Sequence, residues 1–273
     1  MSTWQTVLLG AVAGLTIFVG LPMGRVRTRG TPAKTFMNGL SAGILVFLFF
    51  DILQNATRPL ENSVTGHHWG KLAGMSAVYA LGIGVGLLGL LYVSRLWRRR
   101  PVKGSLGPGA MAVAEKAHTT LQQEAFQVGM SIAAGIGLHN FSEGLAIGQA
   151  ANGGQVSLAL LLVIGFGLHN ATEGFGIVGP LAAADAMPSW GWLLAAGAIG
   201  GGPTFLGTLL GTSITSQYVF VAFLALAAGA ILYVVGELFN AGRRLSWEIS
   251  LWGILAGFLL GLLTEMILVG AGV

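Results

Sequence analysis

The chain has 273 residues, of which 54% are hydrophobic and only 9% are charged, whereas soluble domains carry about 25% charged residues. Its mean hydropathy of +0.76 and net charge of +4 exclude a disordered chain, a nucleic-acid binder and a soluble enzyme, and they indicate a polytopic membrane protein. The chain has no cysteine, so any bound metal must be held by nitrogen and oxygen ligands.

Eight segments are predicted to cross the membrane, because a hydrocarbon core about 30 Å thick needs roughly 20 apolar residues of helix. In chain order, these spans cover residues 6–23, 36–56, 72–97, 125–151, 156–178, 190–212, 218–240 and 249–270. No basic stretch precedes the first span, which is therefore expected to be a retained helix rather than a signal peptide. We expect an all-α polytopic membrane protein with a single transmembrane domain over residues 1–273.

The connections between the spans differ in length. The longest one, residues 98–124, is rich in Gly, Pro and basic residues and is expected to be a mobile loop between spans 3 and 4. Only residues 152–155 separate spans 4 and 5, which predicts an antiparallel helical hairpin. In span 6, the glycine run that ends at Pro203 is expected to loosen or break the helix, as happens beside the substrate sites of transporters.

The basic residues orient the spans, because cytoplasmic connections of membrane proteins are enriched in Lys and Arg. Only Arg58 and Lys71 lie on the side of the membrane that holds the connections between spans 2 and 3, 4 and 5, and 6 and 7. This distribution predicts that both termini lie outside the cytoplasm. The other twelve basic residues lie in or beside the connections of the opposite side: Arg25, Arg27, Arg29, Lys34, Arg95, Arg98, Arg99, Arg100, Lys103, Lys116, Arg243 and Arg244.

An internal repeat marks spans 4 and 5. Residues 135–144 read GIGLHNFSEG, and residues 165–174 read GFGLHNATEG. In each copy the His and the Glu are four residues apart, so they lie one helical turn apart on the same side of the helix, with Asn on an adjoining stripe. The hairpin can therefore bring two polar faces together near the middle of the membrane.

These polar faces need a partner, because an ionisable side chain at this depth costs on the order of 3 kcal/mol. Two nearby carboxylates repel each other, and a divalent cation removes the repulsion. Imidazole and carboxylate ligands suit Zn²⁺, Fe²⁺, Mn²⁺ or Cd²⁺. One alternative is a polar clamp that only fixes the helices. Another is an intramembrane zinc-dependent hydrolase, although the protease motif His-Glu-x-x-His is absent.

The eight spans, the outside termini, the long 3–4 connection and the His-Asn-x-x-Glu-Gly motif resemble the ZIP (Zrt/Irt-like) divalent metal transporters of bacterial or archaeal type. The resemblance implies transport of Zn²⁺, or of Fe²⁺, Mn²⁺ or Cd²⁺, toward the cytoplasm across the inner or plasma membrane. It implies a homodimer, no cofactor and no catalytic residues. It also implies a binuclear site, bridged by the two glutamates, that involves His139, Asn140, Glu143, His169, Asn170 and Glu173.

The chain departs from the pattern of that family at several positions. Many relatives have Pro before the Glu-Gly pair, where this chain has Ser142 and Thr172. Bacterial relatives supply a span 6 carboxylate to the second metal, whereas here only Thr204 can stand in. We therefore expect one firm site that uses both His and both Glu, and a weaker or absent second site. The family's His-rich loop holds only His118 here, so no metal sensor is expected there.

Three further acidic residues lie in the predicted spans. Asp51, with Gln54 and Asn55, is placed at the outer end of span 2, as an entrance site or an interfacial cap. Glu237 is placed near the cytoplasmic end of span 7, as an exit ligand or a partner of Arg243 or Arg244. Glu265 is expected to be structural, near the outer interface. The family resemblance further implies that spans 1, 4, 5 and 6 move against spans 2, 3, 7 and 8.

Overall fold

The structure is a computed structural model that describes residues 1–26, 31–98, 110–214 and 216–270. This part of the chain contains helices and short turns but no strand. In chain order, the elements are α1 (Thr3–Leu15), α2 (Ile17–Gly20), a 3₁₀-helix (Leu21–Arg25), α3 (Thr31–Thr65), α4 (Trp69–Arg98), α5 (Ala110–Asn152), α6 (Val156–Ala183), α7 (Trp190–Gly211), α8 (Gln217–Leu245) and α9 (Trp247–Gly270).

Seven helical segments of the described residues are long and apolar enough to cross a membrane. They are the run Thr3–Arg25, which joins α1, α2 and the 3₁₀-helix, together with α3, α4 and α6 to α9. The 43-residue helix α5, which contains predicted span 4, is not among them. Its polar side chains lower its hydropathy, although those of Ser131, His139, Asn140 and Glu143 are buried inside the protein rather than exposed to lipid.

The predicted 98–124 loop is shorter than expected. Helix α5 begins at Ala110, because the Gly and Pro residues of the connection are confined to residues 101–109 and the following stretch is rich in good helix formers. Residues 99–109 lie outside the described residues, as do Arg27 and Arg29. The predicted hairpin is confirmed: α5 ends at Asn152, α6 begins at Val156, and Gly154 turns the chain with a φ of 77°.

The prediction that the glycine run breaks span 6 is wrong, since α7 is continuous through Pro203. Proline has no N–H to donate to the carbonyl four residues earlier, which belongs to Ile199. That carbonyl lies against the backbone of Gly137 in α5, where a Cβ would overlap it. The next carbonyl, of Gly200, accepts a hydrogen bond from Asn140 Nδ2 at 2.9 Å. The neighbouring helix therefore contacts the exposed carbonyls, and the helix does not break.

The helices pack in two groups: α1, α2, α5, α6 and α7 form the first group, and α3, α4, α8 and α9 form the second. Within each group glycines let the backbones touch. A Cβ on Gly43 of α3 would overlap the Ile254 carbonyl of α9, and a Cβ on Gly229 of α8 would overlap the Ile83 carbonyl of α4. Between the groups, Gly135 of α5 faces the side chain of Ala230 in α8, and Gly179 of α6 faces the side chain of Ser41 in α3.

Candidate metal centre

The two His-Asn-x-x-Glu-Gly motifs meet where α5 packs against α6. The ring centroids of His139 and His169 are 6.0 Å apart. Ligand atoms of His139, His169 and Glu173 all lie within 4.8 Å of one another. These three side chains are buried, and Glu173 is 0% exposed. The structure thus brings together three of the predicted ligands, from two helices, at a spacing that one cation could bridge.

Glu143, the fourth predicted ligand, lies at the edge of this cluster. Its Oε1 is 3.3 Å from Nε2 of His139, and the equivalent pair in α6, Glu173 Oε1 and His169 Nε2, is 3.5 Å apart. Both distances follow from the four-residue spacing on a helix. Glu143 does not belong to the compact three-residue group, so it contacts that group through His139.

Several of the ligand atoms make no hydrogen bond of normal geometry within the described part of the protein. Among the described residues, both ring nitrogens of His139, Oε2 of Glu143 and both carboxylate oxygens of Glu173 are buried without a hydrogen bond. Unpartnered polar atoms at such depth are costly, and buried charges are normally paired or coordinate a metal. The donor set of imidazole and carboxylate fits a divalent transition metal.

The two predicted Asn ligands connect the centre to neighbouring helices. Asn140 Nδ2 donates to the Gly200 carbonyl of α7, and Asn170 Nδ2 donates to the Ala13 carbonyl of α1 at 3.0 Å. Both side chains are fully buried, and both Oδ1 atoms have no partner among the described residues. Each amide is therefore oriented by its nitrogen, and its oxygen is left as an unused acceptor.

The contacts of the two motifs are related by a two-fold arrangement. Four residues after its Asn, each motif has a glycine: Gly144 faces the Thr204 carbonyl of α7, and Gly174 faces the Ile17 carbonyl of α2. Each of these carbonyls comes four residues after the one that accepts from Asn. The run from α1 into α2 is thus the counterpart of α7, so the repeat seen in the sequence extends to the helices that flank the hairpin.

This correspondence pairs Thr204 of α7 with Ile17 at the start of α2. Thr204 of α7, the counterpart of Ile17, is fully buried, and its Oγ1 has no hydrogen-bond partner among the described residues. Residues 190–211 contain no carboxylate and no His. Thr204 therefore offers the centre at most a neutral hydroxyl.

Asp51 was predicted at the outer end of span 2. This prediction is wrong, because α3 continues to Thr65. Asn55 Nδ2 donates to Asp51 Oδ1 at 3.0 Å. Glu265, expected to be structural, lies on α9, which packs against α3. The second group of helices therefore carries two half-buried carboxylates, Asp51 and Glu265.

Sequence reasoning missed the position of Glu265 because it depends on how α3 and α9 pack. Gly257 of α9 faces Leu40 of α3, and Gly261 faces Phe47. The two helices thus run parallel, and the next turn brings Glu265 level with Asp51. The small residues four apart in span 8 are the sequence signal for this packing. Glu237, the last predicted pathway residue, lies on α8 in the wall of a cavity.

Comparison with known proteins supplies the family. Residues 100–264, more than half of the chain, match the family model described as ZIP zinc transporter. No curated protein matches the chain. The matched range holds both His-Asn-x-x-Glu-Gly motifs, Thr204 and Glu237. Members of this family transport divalent metals and are not enzymes. With its apolar helices, the chain is a multi-pass membrane protein and belongs to the ZIP zinc transporter family.

Proposed function

We propose that this transporter carries a divalent transition metal, zinc foremost, toward the cytoplasm through the centre formed by His139, His169, Glu173 and Glu143. The main support is the convergence of the buried ligand atoms of three of these residues within 4.8 Å. Two imidazoles and two carboxylates make the four-coordinate, nitrogen-and-oxygen set that Zn²⁺ prefers. Fe²⁺, Mn²⁺ and Cd²⁺ are further substrates that such a set accepts.

In this proposal α5 crosses the bilayer as the eighth span. Its hairpin partner α6 is apolar enough to span, and a turn of a few residues forces α5 to run back beside it. The polar residues of α5 are buried against other helices, so they do not oppose insertion as lipid-facing groups would. With eight spans and the basic residues on one side, we propose that both termini lie outside the cytoplasm and that the protein resides in the inner or plasma membrane.

The proposed centre binds one metal tightly. A second metal would use the unpartnered oxygens of Asn140, Asn170 and Thr204, with the two glutamates as bridges. No carboxylate from α7 supports it. Neutral oxygens neutralise none of the charge of a second dication, so the second site is weak or absent.

Transport in this proposal moves the first group of helices against the second. The centre lies inside the first group, between α5 and α6, and glycine-to-carbonyl contacts hold that group together. The side-chain contacts between the groups are easier to exchange than backbone contacts. We also propose a homodimer, in which the second group provides the interface. Its helix α4 has only 11% of its apolar stretch buried.

Reconstitution into proteoliposomes tests the centre. We expect Glu173→Ala and Glu143→Ala to abolish or strongly reduce zinc uptake, whereas Glu61→Ala, which changes an exposed residue of α3, leaves it intact. Wild-type uptake in both centre variants would refute the site. Elemental analysis of the purified protein separates a metal site from a polar clamp, because a clamp binds no stoichiometric metal.

A further inference from the structure

A groove of about 590 Å³ follows the last turns of α8 and ends at the start of α9. Its described lining residues are Gly236, Phe239, Asn240, Arg243 and Trp247. Gly236, Asn240 and Arg243 share one face of α8, and all three are exposed. Trp247 is the first residue of α9. The groove is therefore open to the surroundings of the protein and separate from the proposed metal centre, which lies between α5 and α6.

The groove lies where the membrane changes from hydrocarbon to headgroups. The apolar span of α8 ends at Arg243, and in the proposed topology this end of α8 faces the cytoplasm. From Gly236 to Arg243 the helix rises about 10 Å, whereas one leaflet contributes about 15 Å of hydrocarbon. A lipid whose acyl chain lies beside Gly236 therefore has its headgroup at the level of Arg243.

The charge of the groove favours an anionic headgroup. Arg243 is its one charged residue among the described lining residues, and Arg243 forms no ion pair with another described residue. Glu248, which follows Trp247, does not line the groove. A guanidinium presents N–H donors in a fork that matches a phosphate. The cytoplasmic leaflet is also the one that is rich in anionic lipids.

The remaining surface of the groove fits the apolar part of a lipid. The rings of Phe239 and Trp247 meet edge to face, with centroids 6.4 Å apart, so Phe239 fixes the indole at the end of the groove. Trp247 is 43% exposed, and its indole combines an apolar body with an N–H donor, as is common at membrane interfaces. A Cβ on Gly236 would meet nothing within 4 Å, which leaves room for an acyl chain against the helix.

We infer that this groove binds one anionic phospholipid of the cytoplasmic leaflet. Its phosphate contacts Arg243, with Asn240 and the Trp247 indole as further donors, and an acyl chain lies against Gly236 and Phe239. Because Arg243 belongs to α8 and Trp247 to α9, the lipid joins the ends of these two helices. The choice of leaflet rests on the proposed topology, whereas the binding itself requires neither the metal centre nor transport.

Quenching of Trp247 by brominated lipids tests the groove. The chain has seven Trp, so the Trp247 signal is the difference between wild-type and Trp247→Phe protein in phosphatidylcholine vesicles. A small fraction of brominated phosphatidylglycerol should quench this signal more strongly than the same fraction of brominated phosphatidylcholine. Arg243→Gln should raise the phosphatidylglycerol fraction needed for half-maximal quenching about fivefold. The control Arg58→Gln, at an exposed residue of α3 on the opposite side in the proposed topology, should not.

Filling the groove tests the site without changing its charge. Gly236→Leu places a side chain where the Cβ finds open space, so it should remove the preference for phosphatidylglycerol without unfolding the protein. The matched control is Gly84→Leu on α4, another position with nothing within 4 Å of the Cβ. Equal quenching by both brominated lipids would overturn the anionic site. Quenching by neither would show that another surface, such as a second copy of the chain, covers the groove, and would overturn it too. Zinc uptake by the same vesicles tests the proposed function separately, because Glu173→Ala should stop uptake and keep the lipid preference.

Discussion

Gly14 of α1 and Gly201 of α7 lie against each other's carbonyl oxygen, so that a Cβ on either residue would overlap the backbone of the other helix. This reciprocal contact joins α1 and α7, the two helices that pack against the two His-Asn-x-x-Glu-Gly motifs. Asn140 anchors α5 to α7 one residue before Gly201, and Asn170 anchors α6 to α1 one residue before Gly14. The proposed metal centre is therefore supported by a close contact between two helices that carry none of its four proposed ligands.

The Gly201→Ala substitution should destabilise the protein by about 1–3 kcal/mol, the usual cost of overpacking. The matched control is Gly202→Ala, because nothing lies within 4 Å of a Cβ at that glycine. Alanine there should be neutral or mildly stabilising, by up to about 1 kcal/mol. Thermal unfolding in detergent measures both variants. Equal unfolding temperatures would contradict the close α1–α7 contact.

Two substitutions of Thr204 test whether a missing carboxylate limits the number of bound metals. Thr204→Val removes a buried hydroxyl that has no partner and keeps the shape, so stability should be unchanged or higher. Tight zinc binding should stay at one ion per chain. Thr204→Asp supplies the absent carboxylate and should add a second bound zinc. Metal-to-protein ratios from elemental analysis after dialysis measure both. A wild-type protein that already holds two tight ions would refute the expectation.

The sequence was sufficient to predict the hairpin and its polar faces. The four-residue spacing of His and Glu, combined with a turn of four residues, determines that the motifs meet, and the structure brings His139, His169 and Glu173 together. The continuity of α7 was not predictable from α7 itself. It depends on Asn140 and Gly137, which contact the carbonyls of that helix from α5.

Positions that depend on packing between distant segments were also missed. Asp51 was placed at the end of its helix because the apolar stretch ends near residue 56, whereas α3 continues with polar residues to Thr65. The position of Glu265 level with Asp51 requires the parallel packing of α3 on α9, which hydropathy does not encode. Membrane orientation, in contrast, follows from basic residues in the sequence and stays a prediction.

The ion pair between Lys34 of α3 and Asp185, which follows α6, connects the two groups at the end of the protein where the cavity beside Glu237 lies. Gln122 of α5 also donates to the Asp185 carbonyl. Since Asp185 is half exposed, the pair contributes at most about 1 kcal/mol. Asp185→Asn should therefore lower the free energy of unfolding by no more than about 1 kcal/mol. The Lys34→Asp/Asp185→Lys swap should restore it, and thermal unfolding in detergent measures both variants. A swap variant that is no more stable than Asp185→Asn would contradict a stabilising ion pair.

Gly135 and Gly137 of α5 lie on interfaces of different kinds. A Cβ on Gly137 would overlap the Ile199 carbonyl of α7, inside the first group of helices. A Cβ on Gly135 would meet Ala230 of α8, across the two groups, at 3.4 Å. Both residues are buried, so the two sites differ mainly in whether the facing helix belongs to the same group.

Alanine at the two positions should therefore separate stability from transport. Gly137→Ala should lower the free energy of unfolding by about 1–3 kcal/mol, because the added methyl group would overlap the Ile199 carbonyl of α7. The backbones of both helices resist the shift that would relieve this overlap. Gly135→Ala should leave stability within about 1 kcal/mol and slow zinc uptake, since the added methyl group lies on the surface that must slide when the groups move. Thermal unfolding and proteoliposome flux, measured on the same preparations, test both statements. If Gly135→Ala transports zinc at the wild-type rate, the α5–α8 contact is not a moving interface.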